Sequence, residues 1–316
     1  MIVGLQWGDE DKGRFVDMLT ETHDIVARFN SGNNAGHTVV LPEGRDLVPH
    51  LVPSGIAHPG IMNIIGNGTL VNPIRLVEEI DDIKSKVIEV NRKKLMFSSA
   101  AYLILPHHIY IYDDDEIREA GKGRQGSTKS GIAQVASQKA MRAGARVELI
   151  NDNPEGLSGI VYEGLVAQRP LRQEAGLELI DKAAITKEYI KNAKRISGFV
   201  NDTVLYLNQQ LRANKPAQVL AEGTQAFWLD IDHGMYPFTT SSSTTSDGVC
   251  TGLGVAPASI DQVTGIAKAI PLHVGGGPFV TEITETEQLK RLHGYMTTID
   301  AEKGTTTRRN TSAWPP

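Results

Sequence analysis

The first 40 residues constrain the fold more than any other stretch of this chain. Met1–Leu5 is apolar, GDEDKG follows at Gly8–Gly13, Lys12–Leu19 reads as a helix, and Asp24–Phe29 is again apolar and β-branched. Apolar, β-branched runs bounded by Gly, Asp or Asn read as buried strands of a parallel sheet. Parallel strands need a crossover connection, and ligands of open α/β sheets bind at the carboxyl ends of the strands. The polar loops Gly8–Gly13 and Ser31–His37 both fall at that end. The expected fold is therefore α/β, with a mostly buried parallel sheet and a P-loop-like phosphate loop after the first strand.

GDEDKG is not the Walker pattern GxxxxGK[ST], so its position carries the argument. A helix N-terminus after a strand presents unpaired N–H groups and a positive dipole end, and Lys12 adds a point charge. The competing reading is a solvated turn with a surface lysine. SGNNAGH packs amides, glycines and His37 into one loop, which suits close approach to a ligand. A structural histidine is the alternative.

Composition narrows the class. With 316 residues, 40% hydrophobic and 22% charged, the chain can bury a substantial core, as one elaborate α/β domain or as a domain with a smaller subdomain; length alone does not choose. A helical, polar subdomain is expected at about 151–215. A net charge of −5 gives no basic excess for nucleic acid. No apolar run approaches the ~18 residues of a membrane helix, and no signal peptide is visible. The single cysteine, Cys250, rules out an intramolecular disulfide and a cysteine-cluster metal site, so a cytoplasmic protein is expected.

Ile61–Ile65 reads as a strand, and Asn72-Pro73 opens a helix whose stripe is Leu76, Ile80 and Ile83. Tyr102–Ile111 reads as an apolar strand that sets His107 and His108 on opposite faces, followed by an acidic helix start at Asp113–Glu119. Ala120–Ala133 is a second Gly/Ser/Thr/Lys loop, with Lys129, before a helix around Gln134–Arg142; it suits an anion or is simply a flexible loop. Gln218–Glu222 returns to strand, and every residue of Thr239–Ser246 is Ser or Thr, either mobile or ligand-lining. Ile266–Ile270 and Val274–Gly277 read as strand and glycine turn. Arg308 and Arg309, after three threonines, suit a carboxylate or form a solvated tail.

Taken in order, QWGDExKG, NAGHT, GST, EGTQ, LDIDHG, YPFTTSS, VGGGPFVTE and KGTTTRR resemble adenylosuccinate synthetase along essentially the whole chain. The resemblance implies a single α/β domain over 1–316, built on a large, mainly parallel central sheet flanked by helices, and a ligase that joins L-aspartate to C6 of inosine monophosphate (IMP). GTP phosphorylates the 6-oxygen, Mg2+ is the cofactor, and the enzyme is a homodimer. By the same resemblance Asp9 is the base for the purine N1 proton and a Mg2+ ligand, His37 is the acid, and the Gly36 carbonyl lies near the metal. Gly8, Glu10, Lys12, Gly13, Gly36 and Thr38 match positions that hold the phosphates of the donor. Asn34, Thr128, Arg142, Gln225 and Thr240 match positions around the nucleotide substrate, Arg142 being contributed across the dimer. Thr306, Thr307, Arg308 and Arg309 match the aspartate-binding loop.

The chain also departs from the family. Asp11 stands where glycine is usual, GSTKSGIAQ replaces TTGRGIGP, and the basic loop is shortened to Arg308-Arg309 before Asn310. The usual C-terminal part, with the TKxD segment that reads guanine, does not follow. A divergent viral branch of the family that uses dGMP is thus an alternative, with ATP as donor, and so is a nucleotide-binding homologue without turnover. The presence of Asp9 favours IMP.

Overall fold

The computed structural model describes residues 1–33, 36–37, 39–41, 44, 46–110, 129–174, 176–177, 179–269, 271–274, 276–279, 282 and 308–310. Its strands are β1 (Ile2–Gly4), β2 (Ile25–Arg28), β3 (Val39–Val40), β4 (Asp46–Leu47), β5 (Met62–Ile65), β6 (Leu70–Val71), β7 (Leu95–Ser98), β8 (Tyr102–Leu103), β9 (Val200–Asn201), β10 (Val219–Glu222), β11 (Thr264–Ile266), β12 (Leu272–Val274) and β13 (Arg308–Asn310). Seven of them form one sheet in the order β11-β1-β10-β2-β5-β7-β9. Every neighbouring pair in it is parallel. β1 and β2 therefore point the same way, and the loops that follow them open at one end, as the sequence implies. They are not neighbours, because β10 inserts between them.

The alternation of side chains explains why these strands have no polar face. Val3, Ile25, Ala27, Phe29 and Ile64 join one core with Leu207, Val249 and Leu253. Ile2, Val26, Leu220 and Ile266 point the other way and meet Val16 of α1 (Lys12–Thr20). A parallel sheet covered on both sides requires this double burial, worth about 1.5–3 kcal/mol for each large aliphatic side chain.

α2 (Pro73–Ser85) begins as its sequence dictates. Asn72 Oδ1 accepts from the N–H of Ile74 (3.0 Å) and Arg75 (3.4 Å), and Pro73 supplies a preset first turn. Leu76, Ile80 and Ile83 are buried along its inner stripe. The remaining helices are α3 (described over 106–110), α4 (Ile132–Met141), α5 (Leu149–Asp152), α6 (Pro154–Ala167), α7 (Arg169–Glu174), α8 (Lys182–Ile196), α9 (Thr203–Leu211) and α10 (Gly248–Leu253). The region from 151 to 215 is helical, but it is not merely a polar outer layer. Leu157, Val161 and Leu165 of α6 and Tyr189, Ala193 and Ile196 of α8 share one core with α2, β5 and β7. No described helix is long and apolar enough to cross a membrane.

Two sequence expectations need correction. β8 ends at Leu103, and His107 and His108 lie on α3, so they do not face opposite sides of a strand. Pro106 starts that helical turn, and the two rings lie edge to face with centroids 4.2 Å apart. The strand expected over Ile266–Ile270 stops at Ile266, whereas the glycine turn expected at Val274–Gly277 follows the end of β12, with bends at Gly276 and Gly277. Asp113–Glu119, with most of the second glycine-serine loop, lies outside the described residues.

Candidate active site

β1 delivers the chain to a loop with left-handed backbone at Gly8 (φ 94°), Asp9 (φ 58°) and Asp11 (φ 62°). Repeated left-handed residues curl successive N–H groups toward a common centre, a geometry that attracts anions, and Asp is among the few L residues that tolerate it. At present an internal carboxylate fills that role. Glu10, 2% exposed, accepts at Oε1 from the N–H of Gln6 (3.1 Å) and Gly8 (3.0 Å). Its Oε2 accepts from Lys12 Nζ at 2.5 Å. Gly4 makes room for this, since a Cβ there would lie 2.7 Å from Glu10 Oε2 and 2.8 Å from the Gln225 carbonyl.

The second loop returns His37 to the first turn of α1. A Cβ on Gly13 would sit 2.6 Å from the His37 Cβ, so glycine is what lets the imidazole pack there. Behind it lies a buried charge cluster. His37 Nδ1 bonds Glu222 Oε1, the Ser54 hydroxyl donates to the same oxygen (2.7 Å), and the Ser54 N–H donates to Oε2 (2.9 Å). Arg28, fully buried at the end of β2, donates to the Gly32 carbonyl (3.2 Å) and adds positive charge.

Burial drives the His37 pKa down; Glu222 pulls it back, and Arg28 and Lys12 push it lower again. For Glu222, burial alone would raise the carboxyl pKa. His37, Arg28 and Ser54 together outweigh burial and hold it below the usual range. An ionised Glu222 is acceptor-only, so the proton of a neutral His37 is assigned to Nδ1, leaving Nε2 for proton exchange. Glu222 thus joins the site although the sequence marks it only as the last residue of a strand. The available signal was a carboxylate closing an otherwise apolar strand, VLAE, at the ligand-binding edge.

Other segments converge on the same edge. Asn30, just past β2, accepts from the Thr224 N–H (3.0 Å) and donates to the Ser243 carbonyl (2.8 Å). It ties the EGTQ loop to the serine-threonine run and supports half-buried Gln225, itself left-handed at φ 55°. Asp230 accepts from the N–H of Asp232 (2.9 Å), His233 (3.0 Å) and Thr244 (2.6 Å), and Thr240 N–H donates to the Leu229 carbonyl (2.7 Å). The run of hydroxyls is thus a hydrogen-bonded loop.

Gly36 is exposed in the loop before His37, and Arg142 is exposed at the left-handed end of α4. Trp7 stacks on Trp228 and on His273, each with centroids 5.9 Å apart. β12 pairs antiparallel with β13, His273 opposite Arg309, so the backbone of Arg308–Asn310 is a strand beside the segment that touches Trp7. Asn34, Thr38, Thr128, Thr306 and Thr307 lie outside the described residues.

The adenylosuccinate synthetase family model matches residues 1–313. The adenylosuccinate synthetase of Desulfatibacillum aliphaticivorans is 43% identical over 319 residues, covering 99% of this chain and 71% of that protein. The one from Anaeromyxobacter sp. (strain K) is 41% identical over 314 residues, covering 98% and 69%. Among solved structures, the fully ligated adenylosuccinate synthetase of Plasmodium falciparum matches with a TM-score of 0.83 at 32% identity, covering 98% of this chain and 70% of that one. Succinoaminodeoxyadenylate synthetase of cyanophage S-2L, bound to dGMP and dATP, matches at a TM-score of 0.63 and 23% identity over 99% and 77%, a likeness of fold alone. The relatives are longer, yet the match runs through both loops, the buried His37–Glu222 pair and the sheet that carries them: the chain belongs to the adenylosuccinate synthetase family.

Proposed function

We propose that this chain is a carbon-nitrogen ligase that joins L-aspartate to C6 of IMP at the expense of GTP. The observation that carries this reading is the family match over residues 1–313. The juxtaposition of the phosphate loop and His37 at the carboxyl end of one parallel sheet adds a site suited to phosphoryl transfer.

In this reading the Asp9 carboxylate takes the N1 proton of the purine, which places charge on the 6-oxygen. That oxygen attacks the γ-phosphorus, the β–γ bridge breaks, and the diphosphate departs. Protonated at Nε2 as well, His37 donates to the transferring group and supports its charge, while Glu222 accepts the hydrogen bond from Nδ1–H and fixes the ring. The amine of aspartate then adds at C6, the C6–O bond breaks, and phosphate leaves. Glu10 and Lys12 shape the loop around the donor phosphates, with Gly8, Gly13, Gly36 and Thr38. Asn34, Thr128, Gln225 and Thr240, with Arg142 from the other protomer of a homodimer, hold the nucleotide; Thr306, Thr307, Arg308 and Arg309 hold the aspartate carboxylates.

Mg2+ is part of this proposal. The implied donors, the Asp9 carboxylate and the Gly36 carbonyl, are hard oxygens, and Mg2+ combines one or two such protein ligands with water and phosphate oxygens. When bound it would neutralise the bridging phosphate oxygens. The cytoplasm is the proposed location.

The test is a spectrophotometric assay with IMP, aspartate, GTP and Mg2+, run beside dGMP with ATP. The 39–43% identical relatives are adenylosuccinate synthetases, which favours the first pair. Turnover confined to dGMP and ATP would reassign the substrate, and no aspartate-dependent phosphate release with either pair would overturn the ligase reading.

A further inference from the structure

Asp11 is the loop residue with no place in that scheme. It occupies the N-cap of α1 in left-handed conformation (φ 62°, ψ 32°), yet its side chain makes no capping hydrogen bond. Its carboxylate instead reaches across the mouth of the loop to Lys268, with Oδ2 and Nζ 3.2 Å apart. Lys268 lies just past β11, the strand that flanks β1 on the side away from β10.

Its backbone is rigidly mounted. The Lys268 N–H donates to Gln6 Oε1 (2.8 Å) and Gln6 Nε2 donates to the Lys268 carbonyl (2.9 Å), with Gln6 only 1% exposed. Gln6 is also the residue whose own N–H is bound by Glu10. Lys268 is therefore anchored to the wall of the phosphate loop, while its ammonium group extends to the opening. The side chains of the ion pair are 19% (Lys268) and 41% (Asp11) exposed, so a ligand can reach both.

Each lysine beside this loop is paired with one of its carboxylates, Lys12 with Glu10 and Lys268 with Asp11. The inner pair is buried and shares its carboxylate with two backbone N–H groups, which makes it part of the loop's own structure. The outer pair lies nearer the surface. A polyphosphate arriving at the N-terminus of α1 meets Asp11 as a like charge, and it competes with Asp11 for the same ammonium group.

We propose that Lys268 is a phosphate-contacting cation of the nucleoside triphosphate site, and that Asp11 competes with the triphosphate for it. The inference rests on the donor-site reading of the loop. Asp11 then sets affinity: it weakens the hold on the donor and aids release of the nucleoside diphosphate.

The experiment is calorimetric binding of a non-hydrolysable GTP analogue, repeated with the ATP analogue, in the presence of Mg2+. The proteins are the unaltered chain, Asp11→Asn, Lys268→Met and the double variant. Asn tolerates the left-handed backbone, so Asp11→Asn removes charge without forcing the loop to move. Expected are roughly two- to fivefold tighter binding for Asp11→Asn, the size of an exposed ion pair, with the gain shrinking at high salt. Lys268→Met should weaken binding roughly tenfold, the loss of a charge-assisted contact, and the gain from Asp11→Asn should diminish in its background. Unchanged or weaker binding by Asp11→Asn overturns the competition, and unchanged binding by Lys268→Met overturns the assignment of that residue. Thermal unfolding and IMP binding of each variant report whether the fold is intact. If the unaltered chain binds IMP but neither analogue, the donor-site reading itself falls, and this inference with it.

Discussion

His37 and Glu222 show how much of this site depends on contacts between residues distant in the chain, their side chains being 185 positions apart. Asp9→Asn or His37→Asn should lower kcat by ~10²-fold or more with the circular dichroism spectrum unchanged, and near-normal turnover would remove the assigned role. Glu222→Gln tests the support behind the histidine. Among its surroundings Glu222 is the group that raises the His37 pKa, so its loss lowers that pKa further. If the rate needs a protonated His37, the alkaline limb of the kcat profile should shift to lower pH, with KM for IMP little changed. An unmoved profile would reduce Glu222 to a packing group. The meeting of the two loops was legible because polar loops after two parallel strands open at the same end of the sheet, whereas the roles of Asp9 and His37 come from the family resemblance. Glu222 was not, because nothing local to VLAE says that its carboxylate meets an imidazole.

Elements repeat the pattern. α2 was readable to the residue, since Asn72 and Pro73 encode its start and the spacing of Leu76, Ile80 and Ile83 encodes its buried stripe. Asn72→Ala should cost about 1 kcal/mol, measured as a lower denaturant midpoint at unchanged slope; no loss would mean the cap bonds are not formed in solution. The helix also acts at a distance. Glu79 on its inner side accepts from the N–H of His50 (2.8 Å), Leu51 (3.0 Å) and Val52 (2.9 Å), the stretch that leads into Ser54 and so into the carboxylate behind His37. α3 was misread for the opposite reason. Tyr102–Ile111 is uniformly apolar apart from Pro106 and its two histidines, and such a run carries no period; the proline was the one clue to a helical turn. The Arg308–Arg309 segment, open between a ligand loop and a solvated tail on composition, proves to be a paired strand because β12 offers an edge to it.

Across the whole molecule, buried histidines set the acid limit. Burial holds His107 at about 4 and His108 at about 3; the neighbouring His107 pushes His108 lower, the hydrogen bond with Gln138 at Nε2 pulls the other way, and Nδ1 of His108 accepts the Leu105 N–H. Both folded values lie below the ordinary 6.5, so the unfolded chain takes up more protons. The stability they leave intact above pH 6.5 is lost as pH falls toward 3, on the order of 3 kcal/mol for His107 and somewhat more for His108, whose shift is larger. His37 and Glu222, also shifted down, act in the same direction, while Glu79, raised by burial, opposes them. Urea midpoints should therefore drop between pH 7 and pH 5, and His107→Leu should flatten that drop; a flat profile in the parent chain would contradict the burial of these rings. The sequence announced a parallel sheet but not its strand order, because the order is settled by packing between segments far apart in the chain. β10 fills the place between β1 and β2, pairing Ile2 with Glu222 and Arg28 with Glu222 across the gap. During synthesis the two opening strands thus wait, with a vacancy one strand wide and two unpaired edges, until residue 222 has left the ribosome. The His37–Glu222 pair closes in that same event, so a chain that has this carboxylate in place has also joined its two opening strands into one sheet, with β11 the one strand of the seven still to be added.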